Sequence, residues 1–314
     1  MVKNYSPIVL DSIEPEYFPA VDLYVKQGAN YTLYRNGETD LSESGLERLR
    51  QSGVEFVYVD GCNSDEVLVY VESNLKHICG NEKISRTSKN LVLSHIMMSD
   101  IGEVFKNPSR PGVCAKCRSF LDQHEFFIDD RLDLLELLSK FRHYEVYLFK
   151  HSAQVAILAM YMHRKLFGMT PEELVPVGVG AMLHDIGMLD VSYDIHEKRD
   201  ALTPQEYLRV RHHPRNGHKM LHQIGLSDPV SLSMVLDHHE RYNGTGYPRQ
   251  LYENEIPRSA QIGAISDTYC ALTMDRPYRP ASTPVEAVKI MRGEKKLYHP
   301  GYFEAFADII GDGE

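Results

Sequence analysis

Seven side chains between residues 151 and 267 are of the types that ligate metal ions: His151, His184, Asp185, His213, His238, His239 and Asp267, with no cysteine among or between them. Imidazole and carboxylate donors without thiolate suit borderline-hard cations. Two such cations about 3.5–4 Å apart can lower the pKa of a shared water and hydrolyse a phosphodiester. The adjacent pairs carry the argument. His184-Asp185 follows Ala-Met-Leu and His238-His239 follows Val-Leu-Asp, so polar groups lie beside apolar surface, where burying them without partners is costly. Asp267, after Ile262, Ala264 and Ile265, poses the same problem. Metal coordination answers that cost. His151 alone, ahead of Val155, Ala156 and Ala159, would read as an ordinary core or surface histidine. His218 and His222 lie among Lys219 and Gln223 and read as a solvated face, and the ring of His212 would point about 100° away from that of His213 on a helix.

Three helices are announced in the same way. Thr170-Pro171-Glu172-Glu173, Thr203-Pro204-Gln205-Glu206 and Thr283-Pro284-Val285-Glu286 each offer Thr as N-cap, Pro at the first helical position and Glu three residues after the cap. The first should run to His184-Asp185 and stop at Gly187. The second is expected to carry His212-His213 to its end at Pro214. A further apolar stretch from Val230 to Leu236 delivers His238-His239. Each pair is thereby expected at a helix end, where a rigid rod can aim it. Gly178 and Gly180 inside the first helix cost about 1 kcal/mol each against Ala, which predicts close packing against a neighbour.

The opening of the chain is different. Residues 21–36 alternate β-formers about a Gly-containing turn and predict a hairpin. Ser44 and Glu47 resemble a capping box for a short helix with Leu46 and Leu49 on its apolar side, closed by Gly53, and residues 54–59 read as a strand. From 64 to 107 the pattern turns helical, with Leu91, His95, Met98 and Ile101 at spacings of three and four, until Asn107-Pro108 and Arg110-Pro111-Gly112 break it. The expected organisation is mainly α: a small α+β module over 1–63, a helical linker over 64–135 that could also serve as a homodimer contact, and an all-α bundle over 136–314.

Bulk properties bound the function. With 314 residues, 43% hydrophobic and 25% charged, the chain is of ordinary globular composition. A formal charge of −10 repels polyanions, so long nucleic acid is not an expected partner and an anionic ligand needs a local positive field. No leader and no apolar run of about 18 residues is visible, which reads as a cytoplasmic protein without membrane attachment. Five cysteines, at 62, 79, 114, 117 and 270, make no disulfide framework. Cys114 and Cys117 have half of a zinc-site spacing, with His77, Cys79 and His124 as the nearby partners, but a pair of reduced thiols is the plainer reading.

Taken together the motifs resemble a known family. His184-Asp185 is similar to the HD dyad, and the run from His238-His239-Glu240 to Gly244-Thr245-Gly246-Tyr247-Pro248 resembles the signature of the HD-GYP domain. Further matches are His213-Pro214 with Gly217, Glu255-Ile256-Pro257, and Asp267 followed by Ala271-Leu272-Thr273 and Arg276-Pro277-Tyr278-Arg279. The resemblance covers roughly residues 140–310. It implies an all-α metal-dependent phosphodiesterase that hydrolyses cyclic di-GMP, or a related cyclic dinucleotide, to pGpG and in some members to GMP. By position, His151, His184, Asp185, His213, His238, His239 and Asp267 would hold two divalent transition-metal ions, of which Fe or Mn, and also Ni or Zn, fit the donors. His184 and Asp185 would be catalytic, Arg276 and Arg279 would meet the substrate phosphates, and Tyr247 would shape the loop beside the cavity.

The chain departs from the family pattern at several positions. Met188 stands where Lys is common, and Tyr147 stands where members with three metals carry Glu, Glu145 being on another face. Asn243, Gln261 and Cys270 replace a usual Asp, Arg and Asp. Met188 favours a rival reading, a cyclic-dinucleotide receptor that signals by conformation to the N-terminal module or to partner proteins. The complete ligand set favours an enzyme, and the Gly-Tyr-Pro segment disfavours hydrolysis of nucleoside mono- or triphosphates.

Overall fold

The computed structural model of the protein describes residues 5–28, 30–60, 64–82, 84–108, 131–141, 146–192, 195, 198, 200–275 and 279–311. Cys114 and Cys117, read as a pair of reduced thiols with half of a zinc-site spacing, lie outside these. The chain divides into two compact units, Met1–Met97 and Met98–Glu314.

The first unit is built on a four-stranded antiparallel sheet in which β1 (Tyr5–Val9), β4 (Phe56–Asp60), β2 (Leu23–Gln27) and β3 (Asn30–Arg35) lie in that order. The expected hairpin is β2 (Leu23–Gln27) and β3 (Asn30–Arg35), turning at Gly28 with φ 61°. The expected later strand is β4 (Phe56–Asp60), whose Val57 and Val59 are buried. β1 (Tyr5–Val9) pairs with β4, Ile8 opposite Val57, and was not expected because Pro7 interrupts its pattern. As an edge strand it tolerates a residue that cannot donate to a ladder. Helix α1 (Glu43–Gln51) buries Leu46 and Leu49, but its cap is Ser42, whose hydroxyl accepts from the amide of Gly45 at 3.2 Å. Ser44 lies inside the helix and Glu47 faces Arg50, so the cap lies two residues earlier than expected and, with Gly45 three residues after it, the expected capping box does not form. The helical stretch that follows is a pair, α2 (Ser64–Gly80) and α3 (Arg86–Lys106), ending where Asn107-Pro108 was expected to stop it. Leu91, Met98 and Ile101 are buried within the chain.

The second unit is helical: α4 (Arg131–Lys140), α5 (Tyr147–Phe167), α6 (Pro171–Leu183), α7 (Pro204–Arg211), α8 (His213–Gln223), α9 (Pro229–Asp237), α10 (Arg258–Leu272), α11 (Pro284–Gly293) and α12 (Pro300–Ile310). Helix α5 is buried without a break from His151 to His163, an all-round burial that its apolar sequence permits. It packs against α6 and α10, and α9 in turn packs against both of those. All three Thr-Pro-x-Glu starts form, with the reciprocal bonds of a capping box at Thr170, Thr203 and Thr283. The close packing expected of α6 is realised at Gly180, where a Cβ would lie 2.8 Å from Ser231 and Met234 of α9.

Two expected helix stops fail: the helix begun at Thr170 ends at Leu183 rather than at Gly187, which lies in a 3-10 turn over Ile186–Asp190. Pro214 does not end the helix that begins at Thr203. That helix stops at Arg211, and His213-Pro214 opens α8, where a proline in the first turn has no amide to lose. Among the described residues no helix is long and apolar enough to cross a membrane.

Candidate metal centre

Five elements converge on one buried cluster. His151 comes from the first turns of α5, His184 from the C-cap of α6 and Asp185 from the residue after it. His213 opens α8, His238 caps α9 with His239 following, and Asp267 lies within α10. The approach of α8 to the turn after α6 depends on Gly187: a Cβ there would collide with the carbonyl oxygen of His213 and lie 2.6 Å from the amide of Gly217. Only the missing side chain lets His213 come to the His-Asp pair.

The rings are oriented from behind. Nδ1 of His184 lies 2.7 Å from the carbonyl of Ala181, Nδ1 of His213 2.7 Å from that of Val210, and Nδ1 of His238 3.0 Å from that of Val235. A carbonyl can only accept, so each Nδ1 carries the proton and each Nε2 presents a lone pair to the interior. The Nε2 atoms of His213 and His238 lie 3.1 Å apart, and that of His184 has no hydrogen-bond partner. Buried lone pairs set face to face want a cation between them.

The carboxylates link the rings into two sets. Oδ2 of Asp185 lies 3.3 Å from Nε2 of His184 and 3.8 Å from that of His151, while its Oδ1 lies 3.1 Å from Nε2 of His213 and 3.9 Å from that of His238. Asp267 repeats the pattern, with Oδ1 3.0 Å from His151 and Oδ2 3.7 Å from Nδ1 of His239. Ligand atoms of Asp185, His213, His238 and His239 are close enough to hold one ion, and those of His151, His184 and Asp185 a second. Asp185 belongs to both. Asp185, Asp267 and His239 keep 16%, 11% and 20% of their side chains accessible, whereas the other four rings are sealed, so the cluster opens to solvent on the carboxylate side.

Electrostatics match that donor set. Burial opposes ionisation of both carboxylates, yet the imidazoles of His184 and His213 around Asp185, and of His151 and His239 around Asp267, hold both well below the usual carboxylate range. Burial, reinforced by the neighbouring imidazoles, pushes His238 down to about 3 and His239 well below its ordinary value. At His184 burial also acts downward, but Asp185 and Asp267 outweigh it and raise the ring to about 9. Ionised carboxylates and the proton-averse rings of His238 and His239 are in the protonation states a divalent cation requires, whereas His184 would have to release a proton to ligate one.

The surrounding residues place the departures. Tyr147 stacks on His151, ring centroids 5.5 Å apart. Met188 is half-buried in the turn after Asp185. Gln261 donates to the carbonyl of Ile256 at 2.7 Å, fastening the Glu-Ile-Pro segment to α10, and Asn243 accepts from the hydroxyl of Thr245 at 2.7 Å. Tyr247 stacks on His239 at 4.7 Å. Arg279 donates to the carbonyl of Ala271 at 2.6 Å, which ties one of its nitrogens to the end of α10, and Arg276 lies outside the described residues. His218 is half-buried and His222 exposed, both away from the cluster's ligand sets.

Two residues that the sequence reading passed over organise the loop beyond His239. The fully buried Asp237 receives both Nε and Nη2 of Arg249. The buried Glu240 accepts the backbone amides of Arg249, Gln250 and Leu251 at 2.6, 3.1 and 3.0 Å. Arg215 adds a bond to the carbonyl of Pro248 at 2.9 Å. The signal was available: an acid after Met234-Val235-Leu236 in a buried run must have a partner.

The sequence model of the HD domain matches residues 142–301, which contain all seven cluster residues. The chain belongs to the HD domain family. Over 294 residues this HD-domain chain is 28% identical to the cyclic di-GMP phosphodiesterase PA4108 of Pseudomonas aeruginosa, covering 86% of the chain and 68% of that protein. Over 230 residues it is 29% identical to a cyclic di-GMP phosphodiesterase of Thermotoga maritima, covering 70% of the chain and 61% of the relative. The chain thus spans roughly two thirds of the length of these relatives. Its fold is like that of Bd1817, an HDG"Y"P protein from Bdellovibrio bacteriovorus, with a TM-score of 0.71 at 19% identity over 98% of this chain and 99% of that one.

Proposed function

We propose that this HD-domain protein is a metal-dependent phosphodiesterase acting on cyclic di-GMP, with pGpG as first product and GMP as a further one, through a dinuclear centre. The observation that carries this is Asp185, whose two carboxylate oxygens address two different sets of imidazoles. The donor chemistry, nitrogen and oxygen without sulfur, fits Fe or Mn, and also Ni or Zn. When bound, two such cations would activate water as the nucleophile and neutralise charge on the phosphate. No protein nucleophile is called for. The chain's own residues hold the geometry: backbone carbonyls fix the tautomers of His184, His213 and His238, and Asp185 and Asp267 supply the anionic charge that keeps cations in a buried site. The names of the Pseudomonas and Thermotoga relatives support the choice of substrate. A cytoplasmic location and a homodimer through the helical linker of residues 64–135 accompany this reading as expectations.

Metal analysis of anaerobically purified protein is expected to return about two transition ions per chain, and the loaded protein to linearise cyclic di-GMP. Asp185→Ala should lose both the metals and the turnover while keeping most of its helicity, because the imidazoles are then left without a shared anion. Normal metal content in that variant would remove Asp185 from the ligand set. A receptor that binds cyclic di-GMP without turnover is the second reading, favoured by the thioether of Met188 where an ammonium could meet phosphate. Absence of hydrolysis by fully metallated protein would select it.

A further inference from the structure

Helix α7 buries none of its residues, and Tyr207 on it is 50% exposed. Its last residue, Arg211, lies next to the cluster. The Arg211 guanidinium carbon sits 4.7 Å from the centroid of the Tyr247 ring and 5.8 Å from that of Tyr207. The Tyr247 ring in turn stacks on His239, with centroids 4.7 Å apart and planes inclined by 30°. Arg211 has no carboxylate partner among the described residues. Several other cations of this unit are committed: Lys198 to Glu206, Arg249 to Asp237, Arg241 to the carbonyls of His238 and Glu240, and Arg215 to that of Pro248.

A guanidinium held by aromatic faces alone keeps its donor edge free while its orientation is fixed. Purine bases bind proteins by stacking on aromatic rings and on guanidinium planes, and a guanine offers O6 and N7 to the donor fork of arginine. We propose that Arg211, held by the rings of Tyr207 and Tyr247, turns its donor edge to a guanine base of the substrate and so forms the platform that receives it. The platform rests on the functional reading above and adds to it the group that recognises the base. One ring's thickness separates Arg211 from a residue of the metal cluster, so a base on the platform leaves its own phosphodiester beside the cations.

Two ligands separate this proposal from the substrate reading. Wild-type turnover of cyclic di-GMP tests the substrate. The affinity of 5′-GMP, by calorimetry on metal-loaded protein, tests the platform whether or not the cyclic dinucleotide is turned over. Arg211→Ala is expected to weaken 5′-GMP binding about tenfold, as loss of a stacking and hydrogen-bonding partner should. Arg211→Lys, which keeps the charge but not the plane, should fail to restore it. With turnover as readout, the loss of kcat/KM on cyclic di-GMP should exceed the loss on bis(p-nitrophenyl) phosphate, a diester without a base, by the same factor. Unchanged 5′-GMP affinity in Arg211→Ala, full rescue by lysine, or equal losses on the two diesters would overturn the platform. The last of these would leave Arg211 only a support for Tyr247.

Discussion

At position 188 a thioether replaces an ammonium in the turn that follows Asp185, and what this costs can be measured directly. Met188→Lys is expected to tighten cyclic di-GMP binding about tenfold, because a hydrogen bond to a charged group contributes about 1.5–3 kcal/mol. Unchanged affinity would mean that the phosphate does not reach this turn. The contrast between Met188 and Arg211 explains which residues were legible in the sequence. His184, Asp185, His238, His239 and Asp267 could be named from identity and neighbourhood, because an imidazole or carboxylate beside an apolar run demands a partner wherever the chain goes, whereas His151 and His213 needed the family resemblance to be singled out. Arg211 could not be named, because nothing in Arg-Val-Arg-His-His distinguishes a stacked guanidinium from a solvated one until Tyr247 is brought against it. Arg279 shows the reverse case: a position chosen by resemblance for phosphate contact spends one nitrogen on the carbonyl of Ala271.

Between elements, the decisive contact is the one that brings α8 to the end of α6. Gly187→Ala places a methyl group against the carbonyl of His213, and neither backbone can yield without moving a cluster residue. The variant should lose about 1–3 kcal/mol in denaturant unfolding, the usual cost of overpacking, and should also bind less than the wild-type complement of metal. Full metal content with reduced stability would show that the cluster tolerates the shift. Helix starts were readable because Thr-Pro-x-Glu satisfies orphan amides locally, and each formed as expected. Pro214 was misread for a related reason. A proline after a polar residue has the same local appearance whether a helix is ending or beginning, and only the packing of α8 on α9 decides which. At the other end of the chain, β1 escaped notice because its claim to be a strand lies in its partner β4 rather than in its own alternation.

For the molecule as a whole, acid is expected to destabilise the fold through a histidine outside the metal cluster. His163 is buried in α5, with Nδ1 on the carbonyl of Ala159, and burial, aided by Arg258, lowers it from 6.5 to about 4. Its contribution is complete above pH 6.5, where both folded and unfolded chains are neutral. As pH falls from 6.5 to 4 the unfolded chain takes up a proton that the folded chain refuses, so stability falls by about 1.4 kcal/mol per pH unit, or about 3 kcal/mol across the window, and levels off below it. Urea unfolding as a function of pH checks this: His163→Leu should flatten the slope in that window, and an unaltered slope would assign the acid sensitivity elsewhere. A last consequence concerns motion. Helix α7 rests on its capping box, the Lys198–Glu206 pair and the stack on Tyr247, with no side chain in the core, whereas His213 one residue beyond its cap is fully enclosed. Its unfolding therefore exposes almost no apolar surface, and it should open by itself while the rest of the bundle stays shut. Amide protons of Leu208 to Arg211 are expected to exchange with deuterium far faster than those of α9, and to slow when 5′-GMP is added, so the substrate's own base would be the fastener that closes this side of the protein.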